Sequence, residues 1–409
     1  MAKIAPFKAI RPVPGMAQAV AAKPYDVLNS DEARKEVKDN PHSFLHVTKS
    51  EIDLPHDVHV YSRLVYDKAK ENLSNMLNSG ILLKEEKACY YIYQLIMGKR
   101  KQTGLVCVSS VDDYNNDIIK KHEFTRPEKE NDRISHITIT GAQTGNVFLA
   151  YKQDTALDKI IEGWKETHDP LYDFKADDQV GHKIWVVNED QVISQITELF
   201  QAKISHTYIA DGHHRAASAA KVREALGKNA PPDASWFLTT LFPSNQLQIM
   251  DYNRLVKDLD GYSLEEFMGA LMDDFMITLS SESVMPAELH EFGFYCKGQW
   301  YILTARPGTW TNDPIGILDV TILSNNILDK LLDIKDQRTD KRIDFVGGIR
   351  GLKELEKRVN SEEMAAAFSL YPVSIQQLFD IADSGKVMPP KSTWFEPKLR
   401  DGLLTHFIY

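Results

Sequence analysis

Two hydrophobic periods alternate along this chain. Apolar runs of strand type occupy 4–11, 88–96, 103–111, 146–151, 184–187, 207–209, 235–243, 343–348 and 365–371. Those at 291–298 and 299–305 read as a hairpin over Lys297-Gly298. Helical spacing covers 61–77, where Leu64, Val65, Ala69, Leu73, Met76 and Leu77 make one stripe before Gly80. It recurs at 157–164, at 190–202 (Val192, Ile193, Ile196, Leu199 and Phe200 inward), at 319–332 and from 352 onward. Ser30 opens a helix that Asn40-Pro41 ends, and Ser263-Leu-Glu-Glu266 is a capping box opening another. Strands alternating with helices predict an α/β or α+β fold.

Composition narrows the function classes. The 409 residues allow two or three domains, and 43% apolar with 26% charged content is ordinary for a globular chain. No apolar run reaches membrane-spanning length, and Met-Ala-Lys-Ile-Ala-Pro-Phe7 lacks the apolar stretch of a signal peptide, so a cytoplasmic protein without membrane partners is expected. Cys89, Cys107 and Cys296 form no CxxC pair, which argues for reduced structural thiols and against a zinc site. The net charge of −10 argues against nucleic-acid partners, so Tyr90, Tyr91 and Tyr93 read as sheet packing, not a base-stacking platform. A phosphate site in so acidic a chain has to gather its cations locally.

One stretch does so. The strand-like run before Asp211-Gly212-His213-His214-Arg215 breaks at Asp-Gly, and an Ala-rich helix follows to Gly227. A strand, a glycine turn and a helix start aim backbone N–H groups and the helix dipole at an anion. Gly212 permits close backbone approach, and His213, His214 and Arg215 are phosphate-type donors. Asp211 suits a divalent metal riding on such phosphates. The plain alternative is an ordinary turn followed by a solvated helix start. Upstream, His122-Glu123 stands in a charged, weakly periodic stretch and offers a general base; alone, Glu123 also reads as a surface carboxylate. Arg126, Lys129 and Arg133 form either a basic rim or a solvated face, and Asp26 reads as a cap. Lys391-Ser392-Thr393 after Pro389-Pro390 suits a phosphate or carboxylate, or is simply a polar loop.

The DGHHR turn resembles the signature of free-serine kinases of the ParB/sulfiredoxin-like fold, and that of a larger bacterial domain-of-unknown-function family sharing the motif. Lys121-His122-Glu123 matches the kinases' upstream His-Glu pair, and Gly385-Lys-Val-Met-Pro-Pro-Lys391-Ser-Thr393 matches their C-terminal pattern. The uncharacterised family also matches at 6–11, at 23–27 and at 128–133. The resemblance implies that Glu123, with His122 beside it, takes the proton of a serine hydroxyl. It implies that Gly212, His213, His214 and Arg215 cradle nucleotide phosphates, that Asp211 positions Mg²⁺, and that Lys391, Ser392 and Thr393 bind substrate. Asn253-Arg254 departs from a family tendency to His-Arg, leaving Arg254 for phosphate. Trp394-Phe395 replaces an Arg near the amino-acid substrate.

The expectation is therefore an α/β protein with an N-terminal α/β lobe (1–111), a ParB/sulfiredoxin-like nucleotide core (112–260) and a C-terminal α/β domain (261–409) closing on substrate. About 88 positions separate Glu123 from Asp211, which predicts an inserted subdomain. The activity expected is Mg²⁺-dependent phosphotransfer between ATP or ADP and a small hydroxy amino acid, serine or phosphoserine first, with a homodimer allowed. The alternative is a ParB-like nucleotide-binding switch, which has no need of a base. A sulfiredoxin-like reductase is excluded because His213 occupies the place of its nucleophilic cysteine.

Overall fold

Apolar runs buried on both faces build a nine-stranded sheet. In the computed structural model, which describes all residues 1–409, its strands are β1 (Ile4–Ala5), β2 (Tyr90–Met97), β3 (Arg100–Ser110), β4 (Ile119–Lys120), β5 (Val147–Tyr151), β6 (Tyr172–Lys175), β7 (Gly181–Val187), β8 (Thr207–Asp211) and β9 (Trp236–Pro243). They lie in the order β4-β8-β5-β9-β3-β2-β7-β6, with β1 also pairing β3. β2 and β3 form a hairpin in register from Tyr91 opposite Val106 to Met97 opposite Arg100, closed over Gly98-Lys99. Only β4 with β8 and β5 with β9 pair in parallel.

The five longest helices of this unit are α1 (Arg63–Asn78), α2 (Pro127–Thr140), α3 (Thr155–Thr167), α4 (Asp190–Lys203) and α5 (His213–Leu226). Alternate strand positions such as Ile92, Leu105, Leu149 and Ile209 share one core with Leu157, Ile161 and Trp164 of α3, Ile196 and Phe200 of α4, and Ala216, Ala219 and Ala220 of α5. Each large apolar side chain so buried contributes roughly 1.5–3 kcal/mol before entropy is counted. α5 is alanine-rich because it is covered on more than one side. Its Ser218 hydroxyl donates to the Glu130 carbonyl of α2 at 3.1 Å while its alanines meet the sheet. Tyr90, Tyr91 and Tyr93 are buried in the sheet, as are the three free cysteines in their own strands or strand ends. Leu64, expected on the buried stripe of α1, is instead 61% exposed, because the inward face is carried by Val65, Tyr66, Ala69, Leu73 and Met76.

The expected domain boundaries need correction. The chain divides into two units, 1–247 with 397–409, and 248–396. Residues 1–111 are not a separate lobe, because β2 and β3 hydrogen-bond to β7 and β9 inside the common sheet. The segment between Glu123 and Asp211 is no inserted subdomain either. It adds β5, β6, β7 and three helices to that same sheet. The second boundary precedes residue 260 because β10 (Tyr252–Val256) belongs to the sheet of the second unit.

That second sheet has six strands: β10, β11 (Phe275–Ser280), β12 (Glu291–Cys296), β13 (Gln299–Ala305), β14 (Ile343–Gly347) and β15 (Ala366–Leu370), ordered β11-β13-β12-β15-β10-β14. α6 (Leu264–Leu271), α7 (Leu352–Asn360) and α8 (Ile375–Asp383) accompany it. Leu255, Trp300, Val346, Leu355 and Ala367 centre its core, and the Ser263–Glu266 capping box forms as expected. The helix expected at 319–332 is α-helical over Asp319–Leu323 and continues as a π-helical segment, Ser324–Asp329. No helix is long and apolar enough to cross a membrane.

Candidate functional site

The parallel pairing of β4 with β8, Thr207 opposite Ile119 and Tyr208 opposite Lys120, brings the chain out of both strands at the same end of the sheet. His122 and Glu123 follow β4, and Asp211, Gly212 and His213 end β8 and open α5. Gly212 has φ +95°, a conformation that costs an L side chain energy, and α5 starts with no side-chain cap. The first-turn N–H groups of α5 and its dipole therefore make a positive helix end.

His122 and His213 are buried and meet edge to face, ring centroids 4.5 Å apart at 90°. Nδ1 of His213 lies 3.9 Å from Oε2 of Glu123, whose side chain is 41% exposed. Burial pushes His122 down to about 4. Burial, and then the neighbouring His122, push His213 well below the ordinary histidine value. Both rings are thus neutral near pH 7. His214 lies beside them, and its Nε2 accepts the Arg126 backbone N–H at 2.8 Å. That nitrogen therefore carries the lone pair and is not a phosphate donor.

Asp211 is ion-paired with Lys398 at 2.7 Å. Burial pushes its carboxyl up, but Lys398 and then Arg215 outweigh burial and hold it below the usual carboxylate range. Arg215 is less free than its place in the motif implies. Its Nη1 donates to the Asn146 carbonyl at 2.8 Å and lies 3.6 Å from Oδ1 of Asp401, and its guanidinium is 5.4 Å from the Tyr25 ring centre. Burial pushes the Asp401 carboxyl up to about 6, with Arg215 pulling the other way. Gly145 is packed so closely here that a Cβ on it would stand 2.8 Å from both Arg215 Cζ and Asp401 Oδ1.

Tyr25, Arg133, Gly145, Arg215 and Asp401 border a cavity of about 30 Å³. A more open cleft of about 410 Å³ lies between Tyr25, Asp26, Lys49, Tyr61, Lys129 and Arg133. Arg133 is not part of a solvated face. It is buried, paired with Asp132 at 2.9 Å and stacked 3.9 Å over Tyr25.

His122, Glu123 and Asp211 to Arg215 are thus brought together in the first unit. Arg254 and Lys391 to Thr393 belong to the second. Arg254 needs correction as a phosphate ligand. It is buried, donates to the carbonyls of Tyr252 and of Pro390 (3.0 Å), and burial pushes it down to about 9. Ser392 is also engaged, its hydroxyl donating to the Pro389 carbonyl at 2.6 Å, whereas Lys391 is exposed and 5.7 Å from the Tyr252 ring centre. Sequence reasoning missed Lys398, Asp401, Gly145 and Asn146. None lies in a motif, and Lys398 is 187 positions from the Asp211 it pairs with.

Comparison with known proteins gives the following. No curated protein matches this chain. Among solved structures, a free serine kinase variant in complex with AMP is similar at 13% identity and a TM-score of 0.37, covering 75% of this chain and 95% of its own. A conserved hypothetical protein from Pyrococcus furiosus is similar at 14% identity and a TM-score of 0.37, covering 77% and 100%. SbnI from Staphylococcus aureus, with a C-terminal truncation, is similar at 10% identity and 0.32, covering 72% and 85%. The model of the family described as "Protein of unknown function (DUF1015)" matches residues 4–321, most of the chain, and the chain belongs to that family.

Proposed function

We propose that the protein is a nucleotide-dependent phosphotransferase acting on a small hydroxy amino acid, serine or phosphoserine first, through a ParB/sulfiredoxin-like core in the first unit. One observation carries this reading. Glu123 and the Asp211–Arg215 turn, far apart in sequence, meet within 3.9 Å at one end of a sheet. A carboxylate beside a positive helix start is what transfer of a phosphoryl group to a hydroxyl requires, since that reaction depends on positioning and charge neutralisation.

In this reading the first-turn N–H groups of α5 bind the phosphate oxygens. His213, neutral and buried, stands beside Glu123 on the side of the α5 start. Glu123 accepts the hydroxyl proton as the oxygen attacks the terminal phosphorus; the P–O bond to the rest of the nucleotide breaks, and the nucleotide leaves with one phosphoryl group fewer. Arg215 acts chiefly through its field, because its guanidinium is engaged with Asn146 and Asp401. Asp211 fits Mg²⁺: it is held ionised, it is 42% exposed, and it stands at the helix start where a metal would sit on phosphates. Bound there, Mg²⁺ would neutralise charge on the transferring phosphoryl group.

The test pairs binding with turnover. Glu123→Gln should keep the calorimetric affinity for ADP and ATP within about threefold and lose serine-dependent nucleotide consumption by at least about 100-fold, the usual scale of a lost general base. Unchanged turnover in this variant would remove Glu123 from the chemistry.

A further inference from the structure

We infer that His122, His213 and Glu123 form a binding site for a divalent transition-metal ion such as Zn²⁺, separate in donor chemistry from the Mg²⁺ placed at Asp211. One ring nitrogen from each histidine and one Glu123 oxygen lie within 4.8 Å of one another. Two imidazoles and a carboxylate are a donor set that transition metals prefer, whereas Mg²⁺ favours oxygen ligands throughout. The cysteine count argues only against thiolate zinc sites; these donors are of another kind.

A second, independent feature points to a ligand. Nδ1 of His122 is buried and has no hydrogen-bond partner, in a ring that meets His213 edge to face. Buried polar atoms are normally paired, so an orphan nitrogen next to His213 calls for an explanation.

The geometry is within reach of coordination. With metal–ligand bonds of about 2.1 Å, two ligands on one ion stand at most about 4.2 Å apart. His213 Nδ1 and Glu123 Oε2 already meet that at 3.9 Å, and the donor atoms as a set lie within 4.8 Å of one another. Three protein ligands leave at least one position for water or a substrate oxygen. An ion here occupies the carboxylate that the proposed phosphotransfer needs as a base. The inference shares that residue but not that reading, because metal binding is measured without turnover.

The experiment is Co²⁺ and Zn²⁺ titration of the full chain after chelator treatment and dialysis. It follows Co²⁺ visible absorption and Zn²⁺ calorimetry in the presence of 5 mM Mg²⁺ — an excess, roughly physiological or above, that fills oxygen-type sites. The expected result is one ion per chain, with affinity lowered at least about 10-fold in Glu123→Gln and in His122→Gln, each checked for native circular dichroism. His56→Ala, an exposed histidine elsewhere in the first unit, should leave binding unchanged. No uptake under these conditions, or uptake equally strong in folded Glu123→Gln, would overturn the site. Should His122→Gln fail to fold, the partly exposed Glu123 variant decides alone.

Discussion

Arg215 holds a position that its motif does not announce. Its guanidinium lies against the Asn146 carbonyl, the Asp401 carboxylate and the Tyr25 ring, and both Asp401 oxygens lack any hydrogen-bond partner. Removing the cation leaves a buried carboxylate uncompensated, the situation in which breaking an ion pair costs most. Arg215→Ala should therefore lower unfolding stability by about 3 kcal/mol in chemical denaturation. Adding Asp401→Asn should return part of that loss, because the stranded charge goes with it. Strictly additive losses would mean that the two side chains do not interact. The contiguous Asp-Gly-His-His-Arg run was legible because its turn and helix start are set by neighbouring residues. Lys398 and Asp401 were not, since nothing local to 397–409 shows where that segment returns. Arg254 was misjudged for a related reason: a cation in a strand looks available until the carbonyls of Tyr252 and Pro390 enclose it.

At the scale of elements, the strands and most helices follow from their apolar period. The contact that makes the site does not, because it rests on β4, a two-residue strand too short to carry any period. The segment 397–409 is similarly quiet in sequence and dense in structure. It pairs His406 with Gln143 and Phe407 with Ala142, bridges Thr405 to Ile10 and Asp401 to Ala22, and supplies Lys398 to Asp211. Deleting 397–409 should make the first unit sensitive to limited proteolysis and abolish nucleotide binding; a truncated chain as resistant as the full one would show that the segment is dispensable. Within the second unit, Asp319 gives a pH signature. Burial pushes its carboxyl up to about 7, although Oδ1 accepts the His290 backbone N–H at 2.9 Å. Unfolded, the same carboxyl loses its proton near pH 4. Stability of this unit should thus fall as pH rises from about 4 to about 7 and level off above, by at most about 4 kcal/mol. Asp319→Asn should flatten that slope in denaturation measured across pH, and an unaltered slope would assign it to other groups.

For the whole molecule, the alternation of strand and helix patterns predicted an α/β or α+β chain, and the two sheets with their helices agree with that. The number of units was harder to read. Boundaries placed at shifts in pattern, at 111 and 260, cut through a nine-stranded sheet and separate β10 from the rest of a six-stranded one. Strand partners separated by more than a hundred positions, as Cys107 and Thr239 are, leave no trace in a local window. The central claim also belongs to this scale: the folded chain moves a phosphoryl group between a nucleotide and a small hydroxyl. Phosphorus NMR of the intact protein with Mg²⁺ addresses it directly, in mixtures of ATP or ADP with L-serine and of ADP with O-phosphoserine. The account predicts a new phosphomonoester or nucleotide resonance that grows with time in at least one mixture and is lost in Glu123→Gln. Unchanged spectra in every mixture, with nucleotide bound, would contradict it.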